Sequence, residues 1–183
     1  MIRKRLQRIE EPGTARFLTF SCFHRIPLFN NDGIKSEFVS RFNDVSLQLN
    51  VDVLAWVIMP EHVHLVVFAE MMTMDRFLKR LKGPFSHFVI RRWKQLNSSI
   101  LDRVVARDGH RFLQAGGGYD RNVIGDELLE KIRYCHANPV ERGLVKSSID
   151  WPWSSARRYE NRDDAIGPMI RFDLLPTANG ELI

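Results

Sequence analysis

The sequence predicts an α+β domain: a ferredoxin-like split βαβ sandwich, an antiparallel sheet with helices on one face, followed by a C-terminal extension. Three observations predict it. Short apolar or alternating runs at 16–24, 51–59 and 62–69 have the length and composition of strands. Apolar residues at helical intervals fill 34–49, between the first two runs, and 74–96, after the third. Pro60-Glu61 leaves only a tight turn between the second and third runs, so these pair as an antiparallel hairpin.

Residues 1–13 read as a basic arm with Arg3, Lys4, Arg5 and Arg8, ending at Pro12-Gly13. The first strand, 16–24, puts Phe17, Thr19, Ser21 and Phe23 on one side and Leu18, Phe20 and Cys22 on the other. Apolar residues on both faces place it centrally in its sheet. Asn30-Asn31-Asp32-Gly33 supplies turn chemistry. Phe38, Phe42, Val45 and Leu49 then mark an amphipathic helix, and Val, Ile and Trp dominate the strand at 51–59. Thr73 or Asp75 caps the helix at 74–96, where Phe77, Leu78, Leu81, Phe85, Phe88 and Val89 form the apolar stripe. Gly83-Pro84 predicts a kink there, or a division into two helices. Residues 97–111 read as a loop. The fourth strand falls in 102–114, with Val104-Val105 and Phe112-Leu113 as its candidates. Gly116-Gly117-Gly118 reads as a hinge. Residues 126–137 form a further helix, stopped by Asn138-Pro139. Ser154 or Ser155 caps a short last helix, and the tail beyond Glu160 is irregular.

Composition narrows the function classes. The chain of 183 residues is 44% hydrophobic and 27% charged, which suits one soluble domain with an extension. No apolar run is long enough to span a membrane, and no apolar signal core follows the basic residues 1–9, so a cytoplasmic location is expected. Cys22 and Cys135 form no C-x-x-C pair and sit among apolar residues, as buried free thiols do. The net charge is +5. Its distribution is more telling, since residues 76–94 carry seven Lys or Arg and no acid. Like charges with no i,i+4 partner make a poor solvated face, so this helix is expected to meet a nucleic-acid backbone.

Chemistry centres on Met59-Pro60-Glu61-His62-Val63-His64. Alternation puts His62 and His64 on one face of a strand, about 7 Å apart along it, where two imidazoles can share a metal ion. So short a pattern fits two hydrogen-bonded core histidines equally well. A metal site needs a third ligand, and an oxygen donor favours magnesium or manganese. Three tyrosines are candidate nucleophiles. Tyr134 falls inside an apolar helix face, a core position. Tyr159 follows Arg157-Arg158, where it packs on the tail or contacts a DNA backbone. Tyr119 follows the glycines, so its hydroxyl can move into a site. A phenol with a pKa near 10 attacks phosphorus only when activated by a metal or a base. The absence of G-x-x-x-x-G-K-[ST] fits chemistry that needs no ATP.

Taken together, Leu18-Thr19-Phe20, Trp56 to His64, Gly118-Tyr119-Asp120-Arg121-Asn122, Asn138-Pro139-Val140 with Gly143-Leu144-Val145, and Trp151-Pro152-Trp153-Ser154-Ser155 resemble the HUH single-strand transposases with one catalytic tyrosine. Within these the resemblance is to the REP-associated tyrosine transposases, and it spans about 14 to 160. It implies a transposase domain over 14–145 and an extension over 146–183. It implies His62 and His64 as metal ligands and Tyr119 as the nucleophile that forms a 5′-phosphotyrosine with single-stranded DNA. It also implies a third ligand about one helical turn after the tyrosine, a position that Asn122 matches, with Asp120 as an alternative donor. The cofactor is then Mg2+ or Mn2+, and the partner is a DNA hairpin of repetitive extragenic palindrome type. On this reading Lys79, Arg80, Lys82, Arg91, Arg92 and Arg157 hold the DNA backbone. Trp151 and Trp153 either stack on bases or bury the extension against the core. Two rivals remain open: a catalytically silent hairpin-binding regulator, and a metal nuclease that uses water and leaves no covalent adduct. Monomer and homodimer remain equally open.

Overall fold

The computed structural model describes residues 13–69, 74–116 and 118–176. The basic arm apart from Gly13, the Thr73 cap and Gly117 lie outside them. In chain order the elements are β1 (Ala15–Ser21), α1 (Asp32–Gln48), β2 (Asp52–Ile58), β3 (His62–Phe68) and α2 (Met74–Gln95). There follow a small ribbon of β4 (Val105–Ala106) and β5 (Gly109–His110), then β6 (Tyr119–Val123), α3 (Gly125–Glu141) and α4 (Ala156–Tyr159).

The sheet order is β2-β3-β1-β6, with every neighbouring pair antiparallel. This is the split βαβ arrangement, with β1 central as its two apolar faces require. The fourth strand differs from expectation. It is Tyr119–Val123, after the glycines, and not a segment of 102–114. Phe112 goes instead into the aromatic core against Phe29, Phe85 and Trp93, and Leu113 makes only an isolated bridge to Cys22. Core packing of one aromatic outweighed the local β propensity of its neighbours.

Strand alternation sorts the core into two layers. Leu18, Phe20, Trp56, Ile58, Val63, Leu65 and Val67 pack beneath α1 and α2. Ala15, Phe17, Val57, Met59, Val66 and Val123 pack against Leu128, Ile132 and Cys135 of α3 on the opposite face. The helices of the βαβ units thus share one face, and α3 covers part of the other. α1 is capped by Asn31, whose side chain accepts from the Ile34 amide at 3.1 Å. α2 runs unbroken across Gly83-Pro84, held by Phe77, Leu81, Phe85 and Val89, all buried. Both cysteines are buried and free, and burial pushes the Cys22 thiol pKa up to about 12. Among the described residues no helix is long and apolar enough to cross a membrane.

α3 also differs from expectation, and the difference matters for the site. It does not stop at Asn138-Pro139 but continues to Glu141. Pro139 removes one i→i−4 hydrogen bond, to the Cys135 carbonyl, and the helix runs on past it for less than a turn. The end is then closed by Gly143 at φ +67°, with Gly143 N–H donating to Val140 O and Leu144 N–H to Pro139 O at 2.9 Å each. The extension returns along the free edge of β2. Ile58 N–H donates to Trp153 O at 2.8 Å, Ser155 N–H to Trp56 O at 2.9 Å, and Trp56 N–H to Ser155 Oγ at 3.0 Å. This occupies backbone groups that an open edge strand would expose.

Candidate active site

His62 and His64 both face the α3 side of the sheet, and both are buried. Their Nε2 atoms converge to 2.9 Å. The remaining ring nitrogens have fixed partners. His62 Nδ1 lies 3.1 Å from Glu61 Oε1, and His64 Nδ1 lies 2.7 Å from Thr19 Oγ1. Glu61 as acceptor keeps the proton on His62 Nδ1 and leaves a lone pair on its Nε2. The Thr19 hydroxyl donates or accepts by rotating, so His64 has two tautomers open to it. In one, His64 Nε2–H donates to His62 Nε2. In the other, both Nε2 lone pairs face a common point. Burial lowers both imidazole pKa values, that of His64 to about 3, so the rings are neutral at pH 7. Burial pushes the Glu61 carboxyl pKa up, but the hydrogen bond from Arg142 and the neighbouring His62 outweigh it and bring it down.

Two ligand nitrogens at about 2.1 Å from one octahedral ion stand roughly 3 Å apart. The observed Nε2 separation therefore fits a shared divalent cation, with Glu61 and Thr19 orienting the rings. Among the described residues no cluster of three His, Cys, Asp or Glu exists.

The sequence-derived third ligand does not meet the pair. Asn122 and Tyr119 are three apart on a strand, not a helix, so they point to opposite faces. Asn122 Oδ1 accepts from Arg16 Nη1 at 2.6 Å beneath the α1–α2 layer, and Asp120 Oδ1 accepts from Arg16 Nε at 2.8 Å. Both are corrected on this ground. Tyr119 does share the face of the histidines, but it pairs with Thr19, which in turn pairs with His64. Two strand spacings, roughly 10 Å, separate it from His64 at the backbone. Phe17 stands between them, stacked on His64 at 5.3 Å and edge-on to Tyr119 at 5.8 Å. Gly118, expected to be part of a hinge for it, is held in place instead. A Cβ on Gly118, at φ +72°, would collide with the Thr19 carbonyl, so this glycine permits close approach of β6 to β1.

The tyrosine that does meet the pair is Tyr134. Its ring centroid lies 5.2 Å from that of His64, and it is 39% exposed, not a core residue. Lys131, Tyr134, Asn138 and Arg142 follow one another at i,i+3 and i,i+4 along α3 into its C-cap, so they form one stripe. Lys131 sits by Phe17, Tyr134 by His64, and Arg142 Nη1 donates to Glu61 at 2.8 Å. Asn138 lies between the last two, 5% exposed, and its Oδ1 is buried with no hydrogen-bond partner. Sequence reading missed both Tyr134 and Asn138. The available signal was their i,i+4 spacing just ahead of Pro139-Val140.

The basic residues of α2 stand on the other layer. Lys79, Arg80, Arg91 and Arg92 are exposed there, and Lys82 donates to Gly116 O at 3.3 Å. They do not line the histidine face. Trp151 donates from Nε1 to Ile58 O at 3.0 Å, and with Trp153 it encloses the buried Lys35 ammonium at 5.5 and 4.9 Å. This favours the packing role over base stacking. Arg157 is held by Ile149 O and Asp164, and the Tyr159 hydroxyl donates to Leu54 O at 2.7 Å.

Comparison with known proteins agrees with this architecture. No curated protein matches the chain. A solved REP-associated tyrosine transposase, described as bound to a REP hairpin, superposes with a TM-score of 0.65 at 18% identity, over 97% of this chain and 96% of that one. A proposed transposase from Deinococcus radiodurans aligns at 17% identity over 75% of this chain and 97% of its own, with a TM-score of 0.44. The family model for IS200-like transposases matches residues 17–125, which contain β2, β3, β6, most of β1 and the histidine pair. With more than half of its length matched, the chain belongs to the IS200-like transposases.

Proposed function

We propose that this transposase cleaves and rejoins single-stranded DNA beside a hairpin, with Tyr134 as the nucleophile and His62, His64 and Asn138 as the holders of a divalent cation. The observation that carries this is the stripe on α3, which brings a half-exposed phenol within 5.2 Å of the His64 ring and an orphaned carboxamide oxygen into the same layer. Asn138 stands one turn after Tyr134, the spacing that the family resemblance attached to Tyr119 and Asn122. Two imidazoles and an amide oxygen suit Mg2+ or Mn2+. A cation held by His62, His64 and Asn138 would supply positive charge to offset what develops on the scissile phosphate.

The chain's own groups account for the rest. Glu61 and Thr19 hold the imidazoles in place. Helix α3 fixes Tyr134, which removes the positional freedom that a loop-borne nucleophile would lose on binding. The Tyr134 oxygen attacks phosphorus as the bond to the 3′ oxygen breaks. The phenol gives up its proton, and the leaving oxygen takes one to become a free 3′-hydroxyl. The 5′-phosphotyrosine conserves the phosphodiester bond, so attack by a 3′-hydroxyl reverses the step without ATP. The hairpin as substrate is supported by the likeness to a transposase described with a REP hairpin. In this reading the exposed α2 cations meet DNA that passes around the sheet, and not the scissile phosphate itself.

The test is incubation of each tyrosine variant with a labelled single-stranded hairpin and Mn2+, followed by a denaturing gel. The expected result is a covalent adduct with wild type and Tyr119→Phe, and none with Tyr134→Phe. An adduct from Tyr134→Phe that is absent from Tyr119→Phe returns the role to Tyr119. Cleavage without any adduct indicates a water nuclease, and binding without cleavage indicates a regulator.

A further inference from the structure

With Tyr134 as nucleophile, Tyr119 has no chemical task, yet its ring is 48% exposed on the same face. It forms one wall of a cavity of about 270 Å3, whose other lining residues are Phe17, Thr19, Lys131 and Tyr134. Phe17 is the floor. It meets Tyr119 edge-on at 5.8 Å and 65°, and Tyr134 at 6.0 Å and 84°. Three aromatic rings thus line an open pocket directly beside the proposed nucleophile.

The walls are preformed. Tyr119 is fixed through its strand pairing to Thr19, and Gly118 locks that approach. Cations stand at the rim. The Lys131 ammonium lies 5.9 Å from the Phe17 centroid and pairs with the exposed Glu130, while Arg121, two residues along β6 from Tyr119, pairs with Glu127 at 3.0 Å. The volume falls below the roughly 300 Å3 at which drug-sized sites begin, which suits a single planar ring system. Aromatic walls with a cationic rim match a π-face attached to a phosphate, the chemistry of one nucleotide of a single strand. A base held in a duplex presents no free face and cannot enter.

We propose that this cavity takes one unpaired nucleobase next to the scissile phosphate, stacked on Tyr119. The inference rests on the strand-cleavage reading above. It makes Tyr119 a substrate-binding residue and requires an unpaired base at one defined position beside the hairpin.

The test uses the full chain with chelator present, so that no cleavage occurs. A hairpin oligonucleotide carries 2-aminopurine, whose fluorescence is quenched by stacking, scanned through each unpaired position. The expected result is quenching at one position, and about tenfold weaker binding when that position is made abasic. Tyr119→Phe retains both effects, because the ring remains. Tyr119→Leu loses both, and its circular dichroism spectrum reports whether the fold is kept. Quenching that survives Tyr119→Leu, or a hairpin bound with no quenched position, overturns the proposal. The adduct assay on the same proteins separates the two readings. Quenching without an adduct leaves the base site standing and sinks the cleavage reading, and an adduct without quenching does the reverse.

Discussion

Replacing Asn138 with leucine should stabilise the metal-free protein and abolish its response to metal. The Asn138 carboxamide oxygen is buried and has no hydrogen-bond partner. An acceptor left in that state costs about 1–3 kcal/mol relative to a satisfied or absent one. Leucine has a similar branched shape and no polar atom, so Asn138→Leu relieves that cost. For a chain of this size each kcal/mol moves Tm by about 2–4 °C. The metal response runs the other way. At a metal concentration of 100 times Kd the wild type gains about 2.7 kcal/mol, and the variant loses most of this with one of its three ligands. Asn138→Asp should show the mirror image: lower stability with chelator, and tighter metal binding through an anionic oxygen. Scanning calorimetry with chelator and then with Mn2+ reads all of this. If Asn138→Leu lowers Tm in chelator and keeps the wild-type shift with Mn2+, Asn138 is an ordinary core residue and the ligand assignment fails.

Glu61→Gln should weaken Mn2+ binding about 10–100-fold by calorimetric titration, since the carboxylate orients His62 and pairs with Arg142; an unchanged Kd removes Glu61 from the site. His136 gives a pH dependence of stability. Burial holds its pKa down at about 4, with Nε2 2.8 Å from Ser155 Oγ. The unfolded chain takes up that proton near pH 6.5, so the stability it contributes is complete above 6.5 and is lost as pH falls towards 4. The loss is at most about 3 kcal/mol. His136→Gln should flatten urea-derived stability between pH 7 and 4.5 relative to wild type, and parallel curves would refute the burial argument. Gly118→Ala should cost about 2–4 kcal/mol, because it combines a left-handed φ with a collision against the Thr19 carbonyl. Faster amide exchange in β6 is the expected signature, and a near-wild-type Tm would show that the β1–β6 approach is looser than described.

Local pattern alone determined much of this molecule. Alternation and turn chemistry located β1, β2 and β3, helical spacing located α1 and α2, and the His62-Val63-His64 alternation put both imidazoles on one face. These are short-range properties, and the sheet obeys them. The two residues proposed to complete the site were not legible in that way. Tyr134 looked like core because its neighbours Ile132 and Cys135 are core, and only the angle at which α3 crosses the sheet turns it towards His64. Asn138 looked like a helix stop because Pro139 follows it, and only the capped extra turn to Glu141 keeps it inside the helix and buried. The family resemblance, and not any local pattern, points to Tyr119 as nucleophile. The tertiary fold uses Gly118 for close approach of two strands and leaves Tyr119 as the wall of a cavity. Sequence periodicity fixes which face of its own element a residue occupies. Which faces then meet depends on how the α3 layer packs on the sheet, and that is decided by contacts distant in the chain.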